Sequence, residues 1–272
     1  MMLYAAMFDS WLGIAVGILL GVLVLPYLLG PLLIFATMRY RVPAQVIAID
    51  PTQEPLPEDV RAYFHETYQS LSELGFELVA VLGLPSLISN VRTILALYRN
   101  DETLDLAMAT FMVATGNVSL RNQYVEFHRR YSDGVSIQTN NTAQLGSFPP
   151  LPGQHTYYCW EIQDLGRLFA LHRFLAAKHR RSGHAISRLD TDYDGDPVQF
   201  VAEGVLAESF AEQVPTGYIT AYSGGYRPTF KGAVIMTWQE LWPIKMFRRA
   251  RHRGRMQQAL REFEASGHNL QA

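Results

Sequence analysis

Cysteine, charge in the first forty residues and recognisable catalytic signatures are what this sequence has least of. The single cysteine, Cys159, excludes an intramolecular disulfide framework and agrees with a reducing compartment. It lies between Tyr158 and Trp160, apolar neighbours that raise a thiol pKa rather than activate it, so it reads as core. There is no GxSxG elbow, no phosphate-binding glycine loop and no GxGxxG fingerprint. Internal repeats and low-complexity tracts are also missing. His65-Glu66-Thr67-Tyr68-Gln69 starts like a zincin motif, but Gln69 stands where the second histidine must coordinate. His172, His179 and His184 lack the i, i+4 pairing or cysteine partner that zinc needs.

The missing charge is the most informative absence. Between Asp9 and Arg39 no Asp, Glu, Lys or Arg occurs, which leaves residues 10 to 38 as 29 uncharged positions. At about 1.5 Å per residue such a helix exceeds a roughly 30 Å hydrocarbon core. Residues 1–42 therefore read as an N-terminal tail and a single transmembrane helix, with the span at about 11–38. Pro26 and Pro31 suggest a kink or tilt, and Trp11 and Tyr40 suit the two interfaces. A cleaved signal would need a positive n-region and a shorter apolar core. No Lys or Arg precedes the span, whereas Arg39 and Arg41 follow it. The positive-inside bias then places the N-terminus outside and the C-terminal bulk in the cytoplasm of a plasma (inner) membrane.

Beyond the anchor the expected class is α+β. Residues 43–145 read as a helix on an antiparallel sheet: a short strand in VIAID, then an amphipathic helix over 58–74, carrying Val60, Phe64, Tyr68, Leu71 and Leu74 and stopped by Gly75. Segments 76–82, 91–99, 103–114, 121–131 and 134–140 are strand-like, with Asn100-Asp101 and Asp133-Gly134 as hairpin turns. In the last hairpin Val125, Phe127 and Tyr131 face one way, and Glu126, His128 and Arg130 the other. Residues 146–160, opening with GSFPPLPG, read as a linker. Residues 161–265 form a mostly helical module: helices at 161–181 and 197–213, a hairpin around Ser223-Gly224-Gly225, and a closing helix broken at Pro243. This order resembles that of a winged-helix module. The would-be recognition helix, however, carries Glu203, Glu208 and Glu212 and no Lys or Arg, which disfavours nucleic acid.

Two constellations carry chemistry. Residues 238–261 hold seven cationic residues against one acidic residue, Glu240. Trp238, Trp242 and Phe247 with Lys245, Arg248, Arg249, Arg251 and Arg253 form an expected membrane-contact set, because aromatics beside a polybasic run suit an anionic leaflet. The competing reading is a basic helix whose tryptophans pack on the domain itself. DTDYDGD, residues 190–196, opens like an EF-hand loop, with Asp190, Asp192, Asp194 and Asp196 as calcium ligands. Val201 stands where the closing Glu belongs, so a solvated acidic loop that caps the next helix is the simpler reading.

The functional expectation is a single-pass membrane protein, more a binding or regulatory module than an enzyme. Its cytoplasmic domain would contact anionic lipid headgroups of the bilayer or a protein partner. A membrane-surface enzyme with an unidentified site and a membrane-tethered nucleic-acid-binding regulator are the alternatives.

Overall fold

The computed structural model describes residues 2–42, 45–50, 53, 56–88, 91–114 and 121–267, with backbone only at 2–13, 15–17, 19, 20, 23, 86–88, 114 and 121. Helix α1 runs Met2–Thr37, through Pro26 and Pro31. Two short strands follow, β1 (Tyr40–Arg41) and β2 (Ile47–Ala48), then helix α2 (Glu58–Glu73). Glu58 and Asp59 in the first turn of α2 complement the helix dipole, and Val60, Phe64, Thr67 and Leu71 form its buried stripe.

The expected transmembrane helix is not supported. Among the described residues no helix is long and apolar enough to cross a membrane. Trp11 and much of the first half of the 11–38 span have side chains outside the described residues. The α+β class itself is what the chain has.

A meander of long strands comes next: β3 (Glu77–Ile88), β4 (Val91–Asn100), β5 (Asp105–Ala114), β6 (Arg121–Tyr131) and β7 (Ser136–Asn140). Neighbours in this run pair antiparallel. Strand β8 (Gln154–Tyr158) lies inside the stretch expected to be a linker, and it pairs parallel with β7. The linker reading missed it because the preceding prolines and glycines end where QHTYY begins, and five residues are too few for a clear period. The strand order is β2-β3-β4-β5-β6-β7-β8, with β9 (Ala185–Ile186) on the end of β6.

Helix α3 (Leu165–His179) is started by Asp164, whose side chain accepts from the Arg167 amide. After β9 come α4 (Arg188–Thr191), α5 (Pro197–Gln199), a π-helical stretch over Phe200–Ala207, and α6 (Glu208–Gln213). A hairpin of β10 (Ile219–Tyr222) and β11 (Gly225–Pro228) leads into α7 (Phe230–Trp238) and α8 (Ile244–Ala265).

The helices of 161–265 do not stand apart from the sheet, as a winged-helix-like module would. Leu168, Leu171 and Leu175 of α3 and Met256, Ala259 and Phe263 of α8 share one core with α2 and with Ile94, Phe111, Phe127 and Ile137 of the sheet. The opposite face packs Leu82, Leu95 and Leu97 against Phe200 and Val201 of the π-helical stretch. Each fully buried Leu or Phe contributes about 1.5–3 kcal/mol, so both faces bind their helices to one sheet. The hairpin pairs back with β1, and α7 lies along the end of α1: Phe35 meets Phe230, and Tyr27 meets Trp238.

Candidate functional site

The alternation in β6 turns one side of the sheet away from the main core, and the site lies on that side. The register puts Met108, Glu126, Asn140 and Tyr158 in one cross-strand row, with Leu106, His128, Gln138 and Thr156 in the next. Across these rows lies the π-helical stretch, whose Phe200 and Val201 pack on the sheet while Val205 and Leu206 border the space beside them. Gly204 makes the approach: a Cβ there would lie 2.8 Å from the Tyr193 ring.

Three adjoining hollows that share lining residues follow this sheet face and make up the cleft. A small end of about 110 Å³ lies by His128, Arg188 and Glu208. The middle, about 390 Å³, is walled by Leu84, Leu95, Met108, Val201, Val205 and Leu206, with Glu126 and Asn140 on one side. The mouth, about 630 Å³, opens beyond the β8 edge and is bordered by the 146–151 loop and by Arg248, Arg251, His252 and Arg255. Gln138 borders all three parts.

The electrostatics change along this path. Glu126 is half-buried in the cleft wall, and that burial raises its carboxyl pKa, opposed by the Asn140 amide that donates to it at 3.1 Å. Burial also takes His128 down to about 4, with His172 and Arg130 adding to the effect. Two of the orphaned buried polar atoms, Asn140 Oδ1 and Thr93 Oγ1, belong to side chains lining the middle of the cleft. At the mouth, burial first and then Arg255, Arg248 and Arg251 push His252 to about 4. Among the described residues no carboxylate pairs with Arg251 or Arg255; Arg255 instead lies 5.2 Å from the Tyr157 ring centroid.

No protein-family model, curated protein or solved structure matches this chain. The site rests on its own geometry.

The expected membrane-contact set divides. Trp238, Trp242 and Phe247 are exposed, Trp242 by 69%. Trp238 donates its indole N–H to the Tyr27 carbonyl, and the Tyr27 hydroxyl donates to the Trp242 carbonyl, so both belong to the α1–α7 corner. Lys245 pairs with Glu240 at 2.9 Å, and Arg253 with Glu161 at 2.9 Å. Arg248 is held by Glu240 and by the carbonyls of Gly146 and Gln239. Arg249 and Arg251 are exposed.

The acidic loop is occupied by its own chain. Asp190 accepts from Arg99 and Ser187, Asp192 pairs with Arg188, and Asp196 caps the helix by accepting from the amides of Val198 and Gln199. Asp194 and Gly195 supply the positive φ of the turn. Among the described residues no three His, Cys, Asp or Glu side chains come together to hold a metal ion, so the calcium reading gains no site. His172 is wholly buried, His179 stacks on His155 and His184 lies by Ser132, three separate places.

Sequence reasoning missed Glu126, His128, Gln138 and Asn140. Their alternation was visible, but a polar strand face ordinarily means solvent. Strand register aligns them in rows, and residues 200–209 lie across those rows, neither of which is visible in one segment.

Proposed function

We propose that the protein is anchored in a membrane through α1 and that its cytoplasmic α+β domain works as a binding or regulatory module on the bilayer surface. The observation that carries this reading is apolar exposure. Ile18, Val22, Leu28 and Leu33 of α1 are each more than half exposed on one side of the helix, exposed Trp238 and Trp242 are joined to it at Tyr27, and Met246 and Phe247 add further exposed apolar area. A helix that is hydrophobic all round is a buried one, and exposed apolar area on this scale marks a surface with a partner. Tryptophans beside Arg249 and Arg251 suit the headgroup level of an anionic leaflet.

The test uses the full chain reconstituted into anionic vesicles whose acyl chains carry bromine, a short-range quencher. The vesicles should resist alkaline extraction of the protein, and indole fluorescence should be strongly quenched. That quenching should fall clearly in Trp238→Phe with Trp242→Phe, leaving the share of Trp11. Release by alkali, or quenching unchanged in the double variant, would remove the reading.

The membrane-surface enzyme is kept as a second reading because Glu126 and His128 converge on one cleft, the arrangement a general acid and base require. A lipid recovered chemically unchanged from the cleft would count against it. The nucleic-acid reading draws no support from 197–213, where Glu208 pairs with Arg188 and Glu212 lies 3.9 Å from Arg130.

A further inference from the structure

The cleft has a polarity gradient, and the gradient has the order of an amphiphile. Its mouth is cationic, with Arg251 and Arg255 unpaired by any carboxylate among the described residues. Just inside stand hydroxyls and amides, with Tyr158, Thr156 and Gln138 common to mouth and middle. Asn140, only 2% exposed, keeps a carbonyl oxygen without a donor at this depth. Farther along the same sheet face the walls become Leu95 and Met108, roofed by Val205. Buried unpaired acceptors are costly and are normally met by a ligand or water. The middle of about 390 Å³ falls within the size range of small-molecule sites, roughly 300–1,000 Å³.

The geometry points to a binding site for one anionic, phosphate-headed lipid, with its headgroup at Arg251 and Arg255 and its chain between the sheet and the π-helical stretch. The lipid's polar backbone would lie beside Asn140, where a hydroxyl can donate to the free oxygen. This rests on the bilayer-surface reading for its source of ligand: Gln239, next to exposed Trp238, borders the mouth, so a domain seated on its tryptophans brings the opening near the leaflet. The alternating Leu and Met wall gives area without shape selectivity, so discrimination falls to the headgroup.

The test is native mass spectrometry of the full chain in a mild detergent, titrated with palmitoyl lysophosphatidic acid. One lipid should be retained per chain. Lysophosphatidylcholine, with the same chain and no net charge, should bind at least about tenfold more weakly, and millimolar inorganic phosphate should not displace the lipid. Val205→Trp fills the apolar depth and should lower retention by about tenfold or more. Arg251→Glu with Arg255→Glu should do the same while leaving the core untouched, so the measurement stays decisive even if the tryptophan variant fails to fold. Equal retention of both lipids, wild-type retention by the double arginine variant, or displacement by phosphate would each overturn the proposal. The experiment needs no bilayer, so its failure is separate from failure of the membrane reading. Trp238→Ala with Trp242→Ala, which disturbs bilayer seating, should leave retention in detergent unchanged.

Discussion

Arg129 and Asp105 decide most at the residue scale. Asp105 opens β5 with its side chain fully buried, and Arg129 on β6 reaches it twice, through Nε at 2.6 Å and Nη2 at 2.5 Å. Burial alone would raise the Asp105 carboxyl, but the adjoining His172 and the forked Arg129 outweigh it and hold the pKa below the ordinary carboxylate range. His172 itself is fixed by Thr139 through Nδ1 at 3.0 Å. A buried pair of this kind adds little over an apolar pair of the same shape, yet losing one partner strands the other charge. Arg129→Met or Asp105→Leu alone is expected to cost about 3–5 kcal/mol, and the double replacement far less than the two together. Denaturant midpoints of the three variants measure this; single losses under about 1 kcal/mol would mean that the pair is effectively solvated. Cys159, whose thiol burial pushes up to about 12, is the residue whose part was plainest from its neighbours alone.

At the scale of elements, the tightest joint is where the β10–β11 hairpin meets α7. Thr229 caps α7 by accepting from the Gly232 amide, and its hydroxyl donates to the Gly217 carbonyl. A Cβ on Gly232 would stand 1.8 Å from the Tyr218 carbonyl oxygen, a backbone atom that cannot swing aside. Gly232→Ala should therefore separate α7 from the hairpin and lower stability by about 1–3 kcal/mol, as overpacking does. An unchanged thermal midpoint for that variant would show that the joint is loose. The same elements show how far the sequence could be read. Strand β6 and helix α2 were legible because period and end signals agreed within one segment: Asp133-Gly134 closes one, Glu58 and Gly75 bound the other. The π-helical stretch reads from sequence as part of an ordinary helix over 197–213, since the spacing of Val198, Val201, Val205, Phe210 and Val214 does not mark a change of winding. Tyr193, whose ring lies against Gly204, comes from the preceding loop and leaves no mark in that spacing. The cleft was illegible for the same reason, because Glu126 and Asn140 are fourteen residues apart and meet only through strand pairing.

The whole molecule divides its charge as it divides its surface. Of the net −2, the seven cations of 245–261 leave sixteen cationic against 25 acidic residues elsewhere, a balance of −9. The basic end wraps the β8 edge and gives the cleft its positive mouth. That crowding has a consequence for pH. Burial, with neighbouring cations or histidines, takes His128, His179 and His252 each down to about 4. An unfolded histidine takes up a proton near 6.5, so between about 6.5 and 4 the unfolded chain binds more protons and folding weakens as pH falls. Glu126, raised by burial, acts in the opposite sense: above about 4.3, where the unfolded carboxyl loses its proton, the folded one keeps it to higher pH, so folding gains as pH falls through that range. With His155, which burial and Arg255 also lower, four histidines oppose one carboxyl, and the three outside the sheet face of His128 are partly solvated, which reduces their share. The net expectation is a fall of a few degrees in the thermal midpoint of the full chain, in detergent, between pH 7 and pH 5. In Glu126→Gln the compensating carboxyl is gone, so the same interval should cost more. Below about pH 4 a further loss should follow, as Asp105, depressed in the folded state, is protonated. Midpoints that stay level from pH 7 to 5 in both proteins would mean that these histidines reach water freely and that the cleft and its mouth are not closed as described.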